Sequence, residues 1–440
     1  MKKQFPGTAG QEIFFGFVPG RIEVFGRHTD YAGGKSLVCA IDRGFLFSAA
    51  PNRKGLVRMR EDSAEFEPVE FELSASLAPR AGHWANYPMT MARRMARNFG
   101  ASGRRLRGVD IVFSSTMPVG SGMSGSSALM MMVFTALAMV NRLHTHPTFR
   151  ENIHDSMDLS MYLACAENGQ SFHGLDGDRG VGTFGGSEDH AAILNARQGR
   201  LSLFSFCPAS LLSEIAWPRA WRLVVAFSGA RAEKTREALE KYNLVSRRVY
   251  DAVDLLNQSF GTNYATLREA VDHGAGLRLK GTAWLRTLDS VPGNRAAGLA
   301  DRVRQFILED RSYLPQAVAA LRERDLRAFG EILSASHRAS RKYLWNIAPE
   351  IDALARSALR LGAAGASGFG AGFGGSIVAV VPAERAESFA AKWRERYIAR
   401  FPGRAKEAAF FIASPGPGIQ VWQESGPVRL VDLIFKRKTG

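Results

Sequence analysis

The sequence predicts a two-domain protein that mixes α-helices and β-strands. An apolar, β-branched stretch over 108–117 is followed by a turn rich in glycine and serine. An unbroken apolar run then continues to Val140, so this part of the chain predicts a strand, a tight turn and a buried helix. The second half opens with a strand-like segment, 222–228, and then becomes mostly helical. A chain of 440 residues is long enough for two domains with sizeable cores.

The first half predicts strands on both sides of a polar loop. Residues 13–26 are apolar and rich in β-formers, and residues 37–51 predict another strand pair. Between them lies HTDYAGGKS, whose Gly33-Gly34 pair predicts a turn. Two prolines between Cys207 and Arg222 indicate a boundary there, so we expect domains over 1–212 and 213–440.

Two further segments are predicted to be helical. Residues 155–166 form one, and residues 83–100 form the other. In the latter, an aromatic and methionine stripe recurs at helical spacing, and we interpret it as core packing: Trp84, Tyr87, Met91 and Met95.

Composition is that of an ordinary globular protein, with 46% hydrophobic and 22% charged residues. The longest apolar run, 128–140, is too short to span a membrane, and residues 1–12 have no signal-peptide pattern. Three scattered cysteines support neither a disulfide framework nor a zinc site. We therefore expect a cytoplasmic protein with no membrane partner.

The formal net charge of +15 raises the question of nucleic-acid binding. Basic residues are spread along the chain, and many have acidic neighbours on predicted helices. This distribution favours a solvated surface, part of which could attract anionic substrates, and we expect no nucleic-acid partner.

The segment over 118–132, PVGSGMSGSSALMMM, is a candidate anion site. Free N–H groups and the positive end of the helix dipole would meet an anion at this helix start, and glycine allows close approach. A plain helix N-cap is an equally good local interpretation. The glycines at 120, 122 and 125 also fit a dinucleotide fingerprint, but the polar segment 141–152 stands where that motif needs a second strand.

A third glycine-rich turn, GASGFGAGFGG, ends at Gly375 and contains more glycines than a turn requires. Such density suits backbone packed against a ligand or another loop. A flexible linker is less favoured because apolar segments flank it.

Taken together, three segments resemble the GHMP small-molecule kinases, and within them the galactokinases. PGRIEVFGRHTDYAGG is similar to the galactokinase signature, PVGSGMSGSSA to the ATP loop, and GASGFGAGFGGS to the third motif of the superfamily. The resemblance implies an N-terminal α/β domain with a left-handed βαβ unit and a C-terminal α+β domain. The active site would lie in the cleft between them, with ATP, Mg²⁺ and a sugar as its ligands.

The same resemblance implies a role for individual residues. Asp189 in GGSEDH aligns with the catalytic base, although locally it would also serve as a helix N-cap, and Arg21 aligns with the arginine that pairs with it. Ser126, with Ser127 as the alternative serine, and Glu167 align with the metal ligands. Residues implied to contact ATP are Pro118, Gly120, Ser121, Gly122, Ser124, Gly125, Ser126, Ser127 and Gly372. Residues implied to contact the sugar are Arg27, His28, Asp30, Gly33 and Tyr242.

One departure from the galactokinase pattern concerns the sugar. Arg27 stands where that family has the glutamate used at the C6 hydroxyl, and Glu23 replaces an asparagine. Arginine suits a bidentate carboxylate or phosphate, which would predict a uronic acid or another anionic sugar as substrate. A compensating Glu23–Arg27 pair is the alternative.

The implied activity is ATP-dependent phosphorylation of the anomeric hydroxyl of galactose or a galactose-like sugar. A catalytically silent sugar sensor on the same scaffold is the alternative from another functional class. We expect a monomer or a weak homo-oligomer.

Overall fold

The computed structural model describes residues 5, 10–63, 65–100, 105–183, 185–230, 236–276, 282–290 and 298–435. Within them, a sheet of nine strands runs in the order β13-β12-β1-β2-β5-β3-β4, with β6 paired to β2 and β7 paired to β6. Its strands are β1 (Phe14–Phe25), β2 (Lys35–Asn52), β3 (Leu56–Glu61), β4 (Val69–Glu72), β5 (Gly108–Ser115), β6 (Arg200–Ser205), β7 (Ser210–Ala216), β12 (Gln420–Gln423) and β13 (Gly426–Arg429).

A second sheet contains four antiparallel strands in the order β11-β8-β10-β9. Its strands are β8 (Trp221–Phe227), β9 (Gly365–Gly368), β10 (Ser376–Pro382) and β11 (Ala409–Ala413). The expected mixture of helices and strands in two domains is therefore present.

Helices of the first domain lie between its strands in chain order, and most helices of the second domain lie between β8 and β9. The α-helices are α1 (Asn86–Phe99), α2 (Gly125–Asn141), α3 (Pro147–Asn152), α4 (Ser156–Asn168), α5 (Glu188–Asn195), α6 (Arg236–Phe260), α7 (Leu267–Gly276), α8 (Thr282–Asp289), α9 (Leu299–Ile307), α10 (Leu314–Glu323), α11 (Leu326–Ala339), α12 (Pro349–Arg360), α13 (Ala386–Arg400) and α14 (Leu430–Ile434). Short π-helical segments, Leu308–Tyr313 and Ser340–Leu344, continue α9 and α11.

The centre of the first domain is α2, the helix that follows the phosphate-loop candidate. From Ser127 to Val140 nearly every side chain is buried, because α1, β1, β2 and β5 all pack around this helix. A helix that is apolar on all sides is stable only inside a core. Burial of α2 therefore fixes the position of the turn that precedes it.

The strand pairing does not agree with the expected domain boundary at residue 212. That position falls within β7, which pairs with β6 in the first sheet. The last strands, β12 and β13, also return to the first sheet, where β12 pairs with β1. The first domain is therefore built from both ends of the chain, which a boundary based on local composition could not reveal.

One parallel strand pair, β3 with β5, interrupts the otherwise antiparallel first sheet, and β4 and α1 lie between its strands in the chain. This is the place of the expected βαβ unit. Among the described residues, no helix is both long enough and apolar enough to cross a membrane.

The contact of α11 with β9 depends on a glycine. A Cβ on Gly330 would come within 2.2 Å of the carbonyl carbon of Ala364, which is backbone and cannot move aside cheaply. We therefore expect Gly330→Ala to lower the free energy of unfolding by about 1–3 kcal/mol through overpacking. Denaturant unfolding measures it. Gly403→Ala, where a Cβ meets no atom within 4 Å, is the control, and equal stability of both variants would contradict the prediction.

Candidate active site

A cavity of about 360 Å³ opens where the turn before α2, the loop after β1 and the glycine-rich turn after β9 meet. Most of the residues that the sequence assigned to a site line it. These are Arg21, His28, Asp30, Pro118, Gly120, Ser121, Gly122, Ser124, Gly125, Ser126, Ser127, Glu167 and Asp189.

The turn before α2 has the geometry of an anion cradle. Gly120 and Gly122 have φ angles of +70° and +75°, and Ser124, at +58°, occupies the same left-handed region just before the helix begins. The Ser124 hydroxyl lines the cavity, is buried and has no hydrogen-bond partner among the described residues. An orphaned buried hydroxyl at a helix N-terminus is a suitable donor for a phosphate oxygen.

The two glycine-rich turns lock together. The Ser376 hydroxyl donates to the carbonyl oxygen of Ser121 at 2.7 Å. A Cβ on Gly370, whose φ is +72°, would come within 2.8 Å of the carbonyl oxygen of Gly122. Glycine is required at 370 by both the backbone angle and this close approach. The third glycine-rich motif therefore supports the phosphate-loop candidate and contributes Gly370, Ala371 and Phe373 to the cavity wall.

Arg21 connects three parts of the site. It lies at an irregularity in the pairing of β1 with β2, between Pro19 and Arg21. Its Nε donates to Asp189 Oδ1 at 2.8 Å, and its Nη1 donates to the carbonyl oxygen of Gly122 at 2.9 Å. Burial opposes the charge, but the carboxylates of Asp189, Glu188 and Glu23 raise the pKa of Arg21 above its ordinary value. The predicted pairing of Arg21 with Asp189 is present.

Two acids that sequence reasoning did not assign to the site also line the cavity. Glu188 Oε1 lies 3.7 Å from Arg21 Nε, and burial, followed by the nearby carboxylates of Glu23 and Asp30, raises its pKa well above the ordinary value. Glu23 Oε2 accepts a hydrogen bond from Gly370 N at 3.0 Å, and burial raises its pKa as well. The sequence feature that could have identified Glu188 was its position next to Asp189, the predicted base.

His28 and Asp30 lie in the loop after β1. Tyr31 Oη is 2.8 Å from His28 Nδ1, and Asn346 Nδ2 is 3.3 Å from its Nε2. Burial, and then the charges of Arg302 and Arg27, lower the pKa of His28 to about 3, so this imidazole is neutral. Burial raises the pKa of Asp30 to about 6. Both side chains line the cavity, as predicted.

Arg27 does not line the cavity, contrary to its assignment to the sugar. It is fully buried, and its Nη2 donates to Ser367 Oγ at 2.8 Å. Burial lowers its pKa, while the carboxylates of Glu23 and Glu309 counteract this effect. Glu23 is on the cavity wall instead. The opposite charges of Glu23 and Arg27 offset part of the cost of burying each other.

Glu167, at the end of α4, contacts the start of α2. Ser127 Oγ donates to Glu167 Oε2 at 2.8 Å, and His190 Nε2 lies 3.2 Å from the same oxygen. Ser127, the alternative serine, therefore contacts Glu167, and Ser126, the preferred serine, lines the cavity one position before it. Successive helical residues point about 100° apart, so a shift of one position selects a different hydroxyl.

Two other predicted residues, Gly33 and Gly372, do not line the cavity among the described residues. Gly33 packs against Thr266 and Arg268, and Gly372 packs against Asn346, where a Cβ would come within 2.5 Å of its carbonyl oxygen. Tyr242 belongs to α6, but its side chain lies outside the described part of the chain.

An aromatic group forms the cavity wall beside the turn before α2. Phe45, Phe66, Trp84 and Tyr87 line it, and the rings of Phe66 and Trp84 are 5.3 Å apart. Met91 and Met95 are buried core residues, as the stripe predicted. Trp84 and Tyr87 differ, since they pack on the core and also face the cavity.

Comparison with known families and structures identifies the class of protein. The model "GHMP kinases N terminal domain" matches residues 86–175, and "GHMP kinases C terminal" matches 317–399. The "Galactokinase galactose-binding signature" matches 2–51, and together the three models cover about half of the chain.

Solved structures agree on the fold. The galactokinase of Lactococcus lactis, complexed with galactose, is 22% identical with a TM-score of 0.74, over 95% of this chain and 98% of that one. The mevalonate kinase of Methanococcus jannaschii is 11% identical with a TM-score of 0.55, over 92% and 98%. The homoserine kinase of Cytophaga hutchinsonii is 16% identical with a TM-score of 0.51, over 94% and 98%.

The chain therefore belongs to the GHMP kinase family, and the expected two-domain GHMP kinase fold is confirmed. Within the family it carries the galactokinase signature, which makes it a phosphotransferase of the sugar-kinase type.

The buried acid Glu188 gives a pH-dependent contribution to stability. Because its pKa in the folded protein is raised above its ordinary value of 4.5, the stabilisation is present below that value and is lost as the pH rises through the folded pKa. We expect the melting temperature of Glu188→Gln to increase relative to that of the wild type as the pH rises above about 4.5. Thermal unfolding across pH measures it. A difference in melting temperature that does not change with pH would contradict the prediction. Glu395→Gln, which removes an exposed carboxylate, is the control.

Proposed function

We propose that this chain transfers the γ-phosphoryl group of ATP to the anomeric hydroxyl of galactose or a galactose-like neutral sugar. The observation that carries the proposal is the pair formed by Asp189 and Arg21 in a cavity bounded by the phosphate loop and the signature loop. Phosphoryl transfer depends mainly on positioning and charge stabilisation, and this arrangement supplies both.

Asp189 would act as the general base. The Asp189 side chain is 30% exposed, whereas that of Arg21 is only 7% exposed. The carboxylate therefore faces the cavity, while the arginine that holds it is buried. Arg21 uses Nε to orient one carboxylate oxygen, which leaves the other free to accept the proton of a sugar hydroxyl. The same guanidinium would offset the charge that develops on the transferring phosphoryl group.

The residues before and within α2 fit a nucleotide phosphate with Mg²⁺. Two oxygens that are neighbouring ligands of Mg²⁺ lie about 2.9 Å apart, and Ser127 Oγ and Glu167 Oε2 are separated by 2.8 Å. When bound, the cation would neutralise phosphate charge during transfer. Ser124 and the backbone N–H groups at the start of α2 would hold phosphate oxygens. Trp84 and Phe66 would offer apolar surface to the adenine ring.

The sugar end of the cavity favours a neutral substrate over a uronic acid. Its wall contains His28, Asp30, Glu23 and Glu188. Among the described residues, Arg21 is the arginine or lysine that lines the cavity, and it is already paired with Asp189. A substrate carboxylate would meet acidic groups here, and Arg27 lies behind the wall. Hydroxyl groups, in contrast, can both donate to and accept from these side chains.

A kinase assay over a sugar panel tests this proposal. We expect ADP release with galactose or another neutral hexose, and at least about 100-fold lower kcat/KM with galacturonate, which is roughly 2.7 kcal/mol of transition-state binding. Asp189→Asn should lower kcat by about 10²–10⁴ while ATP still binds, because it removes only the base.

Two outcomes would contradict the proposal. Preferred turnover of galacturonate would restore the uronic-acid alternative. Binding of sugar and ATP with no ADP release from any sugar, by wild type and Asp189→Asn alike, would favour the silent sensor.

Asp30 predicts a pH dependence of sugar binding. Because burial raises its pKa to about 6, the carboxylate is ionised above that pH and protonated below it. An ionised carboxylate accepts hydrogen bonds from two sugar hydroxyls, so we expect the sugar KM to fall as the pH rises through about 6. Initial-rate measurements across pH give this profile. Asp30→Asn should abolish the step, and a step of the same size in that variant would show that another group causes it.

A further inference from the structure

Two histidines and one aspartate form a cluster on the first domain, apart from the active-site cavity. One ligand atom from each of His154, Asp158 and His173 lies within 4.8 Å of the other two. None of the three lines the cavity. Neutral imidazole nitrogens and a carboxylate oxygen are a donor set typical of Zn²⁺ and related first-row cations, rather than of Mg²⁺.

The first half of the cluster is held at the start of α4. Asp158 lies in the first turn of this helix, where Asp155 caps the backbone N–H groups of Met157 and Asp158. Asp158 Oδ2 accepts from the backbone N–H of His154 at 2.9 Å, and His154 Nδ1 lies 3.0 Å from the same oxygen. The backbone contact fixes the distance between the two residues independently of the imidazole.

The second half is a tight turn held against α3. The backbone groups of Phe172 and Leu175 exchange two hydrogen bonds, and Gly174 N donates to Asn152 Oδ1 at 2.7 Å. His173 lies inside this turn with a φ of +47°, which is uncommon for a residue other than glycine. The turn therefore presents His173 at a defined position.

The Asn152 carbonyl determines the useful nitrogen of His173. Its oxygen lies 2.8 Å from His173 Nδ1, so a proton on Nδ1 is donated to it and Nε2 keeps its lone pair. Histidines that bind metals usually make such a bond through the second ring nitrogen, since it fixes both tautomer and orientation.

We propose that His154, Asp158 and His173 bind one Zn²⁺ or a similar first-row divalent cation. In tetrahedral zinc the ligand atoms are about 3.4 Å apart, so the present cluster needs only side-chain adjustments. The His154 side chain is 63% exposed, which leaves water access to the remaining coordination position. The cation would join the start of α4 to the turn that follows it, and so brace the helix that ends at Glu167.

Zinc titration of the full chain tests the site. The metal-free protein carries Cys207→Ser, because Cys207 is an exposed thiol, and excess Mg²⁺ is present to occupy oxygen-rich sites. We expect one Zn²⁺ per chain by calorimetry and a higher melting temperature with zinc than without. His154→Ala and His173→Asn should each weaken zinc binding by about tenfold or more.

The controls separate a built site from weak surface binding. Asparagine tolerates the left-handed backbone, so His173→Asn keeps the turn while it removes the imidazole. His144→Ala removes an exposed histidine of the same domain outside the cluster and should leave the affinity unchanged. Each zinc-induced shift is compared with the same variant without zinc, so a change in fold stability does not affect the result. Absence of saturable zinc binding, or equal affinity in wild type, His154→Ala and His173→Asn, would overturn the proposal.

Discussion

The active site depends on two hydrogen bonds that the Arg21 guanidinium donates to different parts of the chain. One nitrogen holds Asp189 at the start of α5, and another holds the Gly122 carbonyl in the turn before α2. A buried cation needs such partners, because the loss of a partner would leave the charge of the arginine uncompensated. Arg21 thus links α5, which carries the proposed base, to the turn proposed to bind phosphate, and it lies at the pairing irregularity in β1.

A second set of buried charges holds the loop after β1 against the helical part of the second domain. Glu309 accepts from Gly26 N at 2.9 Å and Asp310 accepts from Lys35 N at 2.8 Å, so both ends of the loop are fixed by one π-helical segment. Gln305 Nε2 also donates to the Arg27 carbonyl oxygen. The cavity-lining residues His28 and Asp30 are therefore positioned by contacts between the domains, and changes in Leu308–Tyr313 would affect this wall of the cavity.

Local sequence was sufficient for features that depend on backbone angles and chain order. The glycines of the turn before α2 were identified from local sequence. The pairing of Arg21 with Asp189, 168 residues apart, was implied by the resemblance to the galactokinases. The contact of Ser127 with Glu167 was harder to predict, because neighbouring helical positions present different hydroxyl groups. The burial of Arg27 and the cavity-facing side of Trp84 depend on segments distant in sequence. Glu188 was missed for the same reason, because its neighbours Arg21 and Asp30 are more than 150 residues away in the sequence.

The return of the C-terminal segment to the first sheet has a consequence for synthesis on the ribosome. Gly416 N bonds to the Ala40 carbonyl, Gly418 N bonds to the Ala196 carbonyl, and β12 extends the sheet beside β1. These partners emerge hundreds of residues before the segment that completes them. The nascent first domain must therefore keep an edge of β1 unpaired until β12 has been synthesised, and an unpaired strand edge is a place where other chains can add. The second domain, enclosed between the two parts of the first, can close its own sheet earlier.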